Sequence, residues 1–201
     1  LRYQLNPHFL FNTLNAISTL IVVKDSQRAD AMVHKLSEFL RYSLKEDPMG
    51  LNSLENELRA TALYLDIEKV RFAERLQLVT EIEPDVMNAE VPSLIFQPLV
   101  ENAVKYAVAD REMGGRIVLT AGLEGNTLLL KVLDDGPGLS SALLAKLTLG
   151  EEFQVDSGLG LSNTRKRLYH LYGDAGQLEF SQADIGGLSV CIRLPFVAIP
   201  F

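Results

Sequence analysis

Three separated stretches carry side chains suited to holding a nucleoside phosphate. Pro98-Leu-Val-Glu-Asn-Ala-Val-Lys-Tyr-Ala107 sets Glu101, Asn102 and Lys105 close together on a helix, with Lys105 one turn beyond Glu101. A carboxylate, an amide oxygen and an ammonium on one stripe suit a magnesium ion and the phosphates it bridges. Leu133-Asp-Asp-Gly-Pro-Gly138 ends an apolar run on Asp134, a carboxylate able to accept a hydrogen bond from an exocyclic amine. Gly136 and Gly138 allow close backbone approach or a positive φ. Gly158-Leu-Gly160 leads into a helix, whose first N–H groups can receive an anion. Singly, these are a solvated helix face, a turn and a common glycine pair. Their order and spacing are what point to a phosphate-binding site.

A fourth stretch, Gln4-Leu-Asn-Pro-His-Phe-Leu-Phe-Asn-Thr-Leu-Asn15, offers a nucleophile. At about 100° per residue, Asn12, Asn15 and Thr19 fall within about 40° of His8, whereas Leu10, Leu14, Ile17 and Ile21 gather on the opposite side. His8 is therefore expected on a polar stripe facing away from an aliphatic seam. His34 and His170 have no such setting. Asn6-Pro7 fits an N-cap followed by proline at N1. A longer helix arriving from upstream and kinking at Pro7 fits as well.

The elements that must position these groups follow from periodicity. Three amphipathic helices are expected first: one from Leu10, one over Ala29 to Leu44, and one over Leu54 to Leu76. Asp47-Pro48-Met49-Gly50 separates the last two, and Asn52 with Glu55 resembles a capping box. The apolar faces are wide, and a second copy would complete a bundle; a monomeric helical domain is the alternative. Leu76 to Ile82 alternates as a strand. Pro92 to about Ala109 reads as a helix with Pro98 as an internal irregularity. Arg116–Ala121 and Thr127–Leu133 read as a hairpin, and a glycine-punctuated stretch follows from Asp134 to Gly160. Leu161–Tyr172 reads as a helix ended by Gly173, and Leu178–Gln182 with Leu188–Leu194 as a last hairpin across Gly186-Gly187. The second half is thus α+β.

Bulk properties narrow the function. The net charge of −7 over 201 residues argues against broad nucleic-acid binding. A single cysteine, Cys191, permits no intramolecular disulfide, and with three histidines a structural metal site is not expected. No run approaches the roughly 18 apolar residues of a membrane span. The chain opens on Leu1 in mid-pattern, which reads as a fragment of a longer protein.

Helix stripe, strand-Asp-Gly-Pro-Gly, loop and Gly-x-Gly-helix together resemble the N, G1 and G2 boxes of the GHKL ATP-binding fold of gyrase, Hsp90, histidine kinases and MutL. The resemblance implies adenine on Asp134, Mg²⁺ on Asn102, and an ATP lid between Gly138 and Gly158. Hydrolytic branches place a glutamate four residues before the N-box asparagine; here Pro98 stands there, which disfavours ATP hydrolysis as the main activity. Gln4–Asn15 resembles the phosphoacceptor motif of LytS/YehU-like sensor histidine kinases. The resemblance continues through Leu36–Leu44, Glu57-Leu58, Tyr64–Phe72, Gln97–Ala103 and Gly158–Leu168. Lys105-Tyr106-Ala107 departs from the more frequent Lys-His-Gly, and Asp134-Asp135-Gly136 from Asp-Asn-Gly.

The resemblance implies an α+β chain. Residues 1–75 would form dimerisation and histidine phosphotransfer helices, and 76–201 a GHKL (Bergerat) α/β-sandwich ATP-binding domain. It implies autophosphorylation of His8 from ATP–Mg²⁺ and transfer to an aspartate of a response regulator, often one with a LytTR domain. Asn102, Lys105, Asp134, Gly136, Gly138, Gly158 and Gly160 would hold the nucleotide, within a homodimer on the cytoplasmic side of a bacterial inner-membrane protein. Many other histidine kinases carry an acid directly after the histidine; here Phe9 follows it, leaving Glu101 or Asn12 to polarise the ring. The alternative is a degenerate, non-catalytic module that binds a nucleotide or a partner.

Overall fold

The computed structural model describes residues 7–45, 47, 49–148 and 158–199. It is an α+β chain of three helices followed by a five-stranded sheet. Helix α1 spans Pro7–Val22, α2 spans Ser26–Lys45 and α3 spans Leu54–Phe72. The first turn of α1 is anchored by Phe9, whose ring packs 5.4 Å from Phe39 of α2 and 4.8 Å from Tyr64 of α3, centroid to centroid. This aromatic anchor rotates α1 away from the expected seam. Phe9, Thr13, Ile17 and Leu20 are buried, whereas Leu14 is 54% and Ile21 62% exposed. The expected aliphatic seam therefore holds only at Ile17 and, half-buried, at Leu10.

Strand β1 (Leu51–Ser53) precedes α3, so the helix cap lies one residue later than expected. Ser53 is the N-cap and its hydroxyl accepts the Asn56 N–H at 3.3 Å. Asn52 is drawn away by β pairing and donates instead to the Tyr42 hydroxyl at 2.7 Å. After α3, one 3-10 turn over Ala73–Arg75 leads into β2 (Leu76–Ile82).

The sheet has strand order β2-β4-β5-β7-β6, with β4 Gly115–Glu124, β5 Thr127–Asp134, β6 Gln177–Gln182 and β7 Leu188–Pro195. Strands β2 and β4 are parallel, and a long crossover joins them. Every other pair is antiparallel, and both expected hairpins form. The β4–β5 turn is Gly125-Asn126, with Gly125 at φ +62°. Along β5, Leu128, Leu130, Val132 and Asp134 all face the buried side, so the two-residue strand period carries the aspartate inward.

The crossover differs from the expected single helix over 92–109. Strand β3 (Glu90–Pro92) pairs with β1, and residues 93–96 form a buried turn in which Leu94 has φ +56°. Helix α4 begins only at Gln97 and ends at Ala103. Pro98 therefore stands in the first turn of α4, where its missing N–H costs no hydrogen bond, and not inside a longer helix. From Val104 to Ala109 the helix widens to a π form. The glycine-punctuated stretch contains one further helix, α5 (Ser141–Thr148), before α6 (Gly158–Tyr172). Gly173, at φ +57°, stops α6 as expected.

Candidate functional site

Asp134 is 6% exposed at the inner end of β5. Its Oδ1 accepts the N–H of Gly136 at 2.8 Å and that of Leu188 at 3.3 Å. Burial pushes its carboxyl above the usual carboxylate range, and the two N–H bonds pull it back part of the way. Glycines surround it. A Cβ on Gly136 would stand 3.2 Å from Ala107, and one on Gly187 only 2.3 Å from Asp134 Oδ1. Gly138 holds φ +65° in the turn that leaves the site. Backbone thus closes around a buried carboxylate where any side chain would intrude, which fits a flat ligand edge donating to Asp134.

The three glycine- and asparagine-bearing segments converge. The π turn after α4 brings Ala107 against Gly136, and a Cβ on Gly160 of α6 would lie 3.3 Å from Pro98 of α4. Glu101 and Asn102 are half-buried on α4, with the Gln97 amide 2.5 Å from Glu101 Oε1. Lys105 is exposed, and its ammonium lies 4.9 Å from the Tyr106 ring centroid. Between Glu101 and Lys105, Ala103 (φ −61°, ψ −45°) and Val104 (φ −59°, ψ −43°) keep α-helical dihedrals. Gly158 opens α6. Arg165 of α6 donates to the Leu147 carbonyl at 2.7 Å and so ties α5 beside it. Part of the expected lid, residues 149–157, lies outside the described residues, as does Asn6.

His8 is exposed on α1, and the Asn12 amide nitrogen lies 3.1 Å from its Nδ1 and 3.3 Å from its Nε2. Helix α3 bridges this region to α4. Phe9 stacks on Tyr64, the Tyr64 hydroxyl donates to Glu68, and Glu101 lies within electrostatic reach of both. Burial, then the Glu68 and Glu101 charges, push the Tyr64 hydroxyl well above its usual range.

Several residues of the site gave no sequence signal of the part they play. Asp135, which stands where Asp-Asn-Gly is the more frequent pattern, holds the turn: Oδ1 accepts the Arg116 N–H at 2.9 Å and Arg111 Nη1 at 3.0 Å. Gly187 reads as half of a hairpin turn, yet it packs on Asp134; the one hint is a second glycine where the turn needs only Gly186. Glu57, which lies in the stretch of family resemblance on α3, is buried, and the resemblance assigns it no role. The Glu57 carboxylate accepts the N–H of Ile95, just before α4, at 3.0 Å.

Residues 1–76 match the family described as histidine kinase, and residues 88–198 match the histidine kinase-, DNA gyrase B-, and HSP90-like ATPase family. The chain is 37% identical over 199 residues to the sensor protein LytS of Streptococcus agalactiae, covering 97% of this chain and 33% of that protein. It is 34% identical over 196 residues to the sensor histidine kinase BtsS of Escherichia coli K12, covering 98% of this chain and 33% of that one. The chain thus spans about a third of the length of the curated relatives it matches. The catalytic domain of histidine kinase ThkA, in a nucleotide-free form, superposes with a TM-score of 0.58 at 18% identity, covering 75% of this chain and 98% of that one.

Proposed function

Because the chain belongs to the histidine kinase-, DNA gyrase B-, and HSP90-like ATPase family, we propose that it is the kinase core of a two-component sensor, autophosphorylated on His8 from ATP. The observation that carries this reading is the joint presence of an exposed histidine on α1 and a glycine-walled, buried carboxylate at Asp134. In this reading residues 1–75 are the dimerisation and phosphotransfer region and 76–201 the ATP-binding domain.

ATP supplies the phosphoryl group. Asp134 accepts from the adenine amine, and Gly136, Gly138 and Gly187 keep the walls free of side chains. Asn102 would hold Mg²⁺, which would supply charge neutralisation at the phosphates. Lys105 leaves the Tyr106 ring to meet the phosphates, and the Gly158-Gly160 end of α6 presents backbone N–H groups to them. His8 attacks the γ-phosphorus of ATP through a ring nitrogen lone pair, and the new N–P bond forms as the bond to the departing ADP oxygen breaks. The protein's part is positioning and charge neutralisation.

Asn12 fits the role of orienting the ring. As placed, the Asn12 amide nitrogen donates to the ring, 3.1 Å from Nδ1; rotating the amide to present its oxygen would let it accept Nδ1–H and leave the Nε2 lone pair free. Glu101, beside Asn102, is the alternative partner of Nδ1–H: in that arrangement its carboxylate takes up the ring proton as the Nε2–P bond forms and ADP leaves. The product passes to an aspartate of a response regulator, of LytTR type in the closest family pattern. The assembly is a homodimer, joined through the exposed apolar side chains of α1, and the core works on the cytoplasmic side of a membrane sensor. No described helix is long and apolar enough to cross a membrane.

The test is incubation with γ-labelled ATP and Mg²⁺. Acid-labile label on the wild type that is absent from His8→Ala supports the kinase. Released phosphate without label supports an ATPase, and nucleotide binding with neither supports a non-catalytic module. Glu101→Gln should lower the labelling rate by about 10²-fold or more; an unchanged rate removes Glu101 from the mechanism.

A further inference from the structure

The turn that precedes α4 is gripped from two sides. From the helical region, Glu57 Oε2 accepts the Ile95 N–H at 3.0 Å, while its Oε1 accepts the Tyr42 hydroxyl of α2 at 2.6 Å. Tyr42 in turn accepts from Asn52 at 2.7 Å. From the other side, Arg167 of α6 donates to the Ser93 carbonyl at 2.8 Å, and its charge acts on Glu57. Glu57 is 1% exposed, Ser93 and Ile95 are fully buried, and Leu94 between them holds φ +56°. Six residues beyond Ile95 lie Glu101 and then Asn102. A buried carboxylate cannot drop a partner without a large penalty, and a close-packed interior does not deform smoothly. A shift of α2 against α3 is therefore passed to this turn.

We propose that Tyr42 and Glu57 are positioning residues for the nucleotide site, forming a linkage through which the packing of the phosphotransfer helices sets nucleotide affinity. The linkage rests on the reading of the Asp134 cleft as a nucleotide site. It is reciprocal: nucleotide in the cleft favours the same α2–α3 packing that favours nucleotide. Its chemistry requires a carboxylate. A glutamine at position 57 has one acceptor oxygen for the Tyr42 hydroxyl and the backbone N–H groups of Leu94 and Ile95, so its amide nitrogen must face either those N–H groups or the already occupied Tyr42 hydroxyl.

The test measures the affinity of the 201-residue chain for a non-hydrolysable ATP analogue with Mg²⁺, well below the unfolding temperature, with circular dichroism as the check on folding. Tyr42→Phe removes one half-buried hydroxyl remote from the cleft and is expected to weaken binding about five-fold or more. Glu57→Gln is expected to weaken it at least as much, and the double variant no further than Glu57→Gln alone. A folded Tyr42→Phe chain with wild-type affinity overturns the linkage, as do losses that simply add. A purely structural role would lower the unfolding temperature and leave the affinity of the folded chain unchanged. Should Glu57→Gln not fold, Tyr42→Phe decides the matter alone. A wild-type chain that does not bind the analogue overturns the nucleotide-site reading and the linkage with it.

Discussion

At the scale of single residues, the site depends as much on absent atoms as on functional groups. Asp134 is legible in the sequence because the strand period carries it inward behind Leu128, Leu130 and Val132. Gly187 is not legible, because its requirement comes from a strand-to-strand approach across 53 residues of chain. Gly187→Ala should weaken nucleotide binding about ten-fold or more, since the new methyl would stand 2.3 Å from the Asp134 carboxylate, 2.4 Å from the Asp134 carbonyl and 2.5 Å from the Gly136 nitrogen and must push these walls of the cleft aside. Isothermal titration of the folded variant checks this, and unaltered affinity would show that the cleft tolerates the methyl. The raised carboxyl of Asp134 also gives a direction in pH. Binding needs the ionised form, so affinity should begin to fall at a higher pH than an ordinary aspartate would dictate.

At the scale of elements, periodicity located all three helices, the five sheet strands and both hairpins, whose signals are local. It missed β1, β3 and the late start of α4. Three-residue strands carry no period to read, and their pairing joins Leu51–Ser53 to Glu90–Pro92 across the whole of α3 and β2. Ser53→Ala should cost about 1 kcal/mol of stability through loss of the α3 cap, measured by denaturant unfolding; no loss would return the cap to Asn52. Burial pushes up the carboxyl of Glu68 on α3, which is 3% exposed. A carboxyl held above its unfolded value binds a proton on folding. Its contribution is complete below the unfolded value and is lost as pH rises through the folded one. Glu68→Gln should therefore flatten the decline of melting temperature above the usual glutamate range, about pH 4 to 5.

At the scale of the whole molecule, the surface of α1 is divided. Its Phe9 edge is spent inside the chain, whereas Phe11, Leu14, Ile21 and Val22 remain exposed along its length. Apolar side chains so grouped are expected to meet a second copy. Phe11→Asp with Ile21→Asp should convert a dimer to a monomer by sedimentation, and a dimer that survives would place the interface elsewhere. The sequence showed that α1 has more apolar surface than one chain can cover, but the edge turned inward was decided by the Phe9, Phe39 and Tyr64 rings.

The pairing of β1 with β3 also imposes an order of events on synthesis. The N–H groups of Leu54 and Glu55, at the head of α3, bond to the carbonyls of Ala89 and Met87, each at 2.9 Å. While the chain is emerging from the ribosome, those groups have no partner until roughly residue 90 is free. Helix α3 must wait, with Glu57 and Leu54 unburied, for a segment made more than thirty residues later. A chain released after residue 75 would hold α1 and α2 with this end of α3 still frayed.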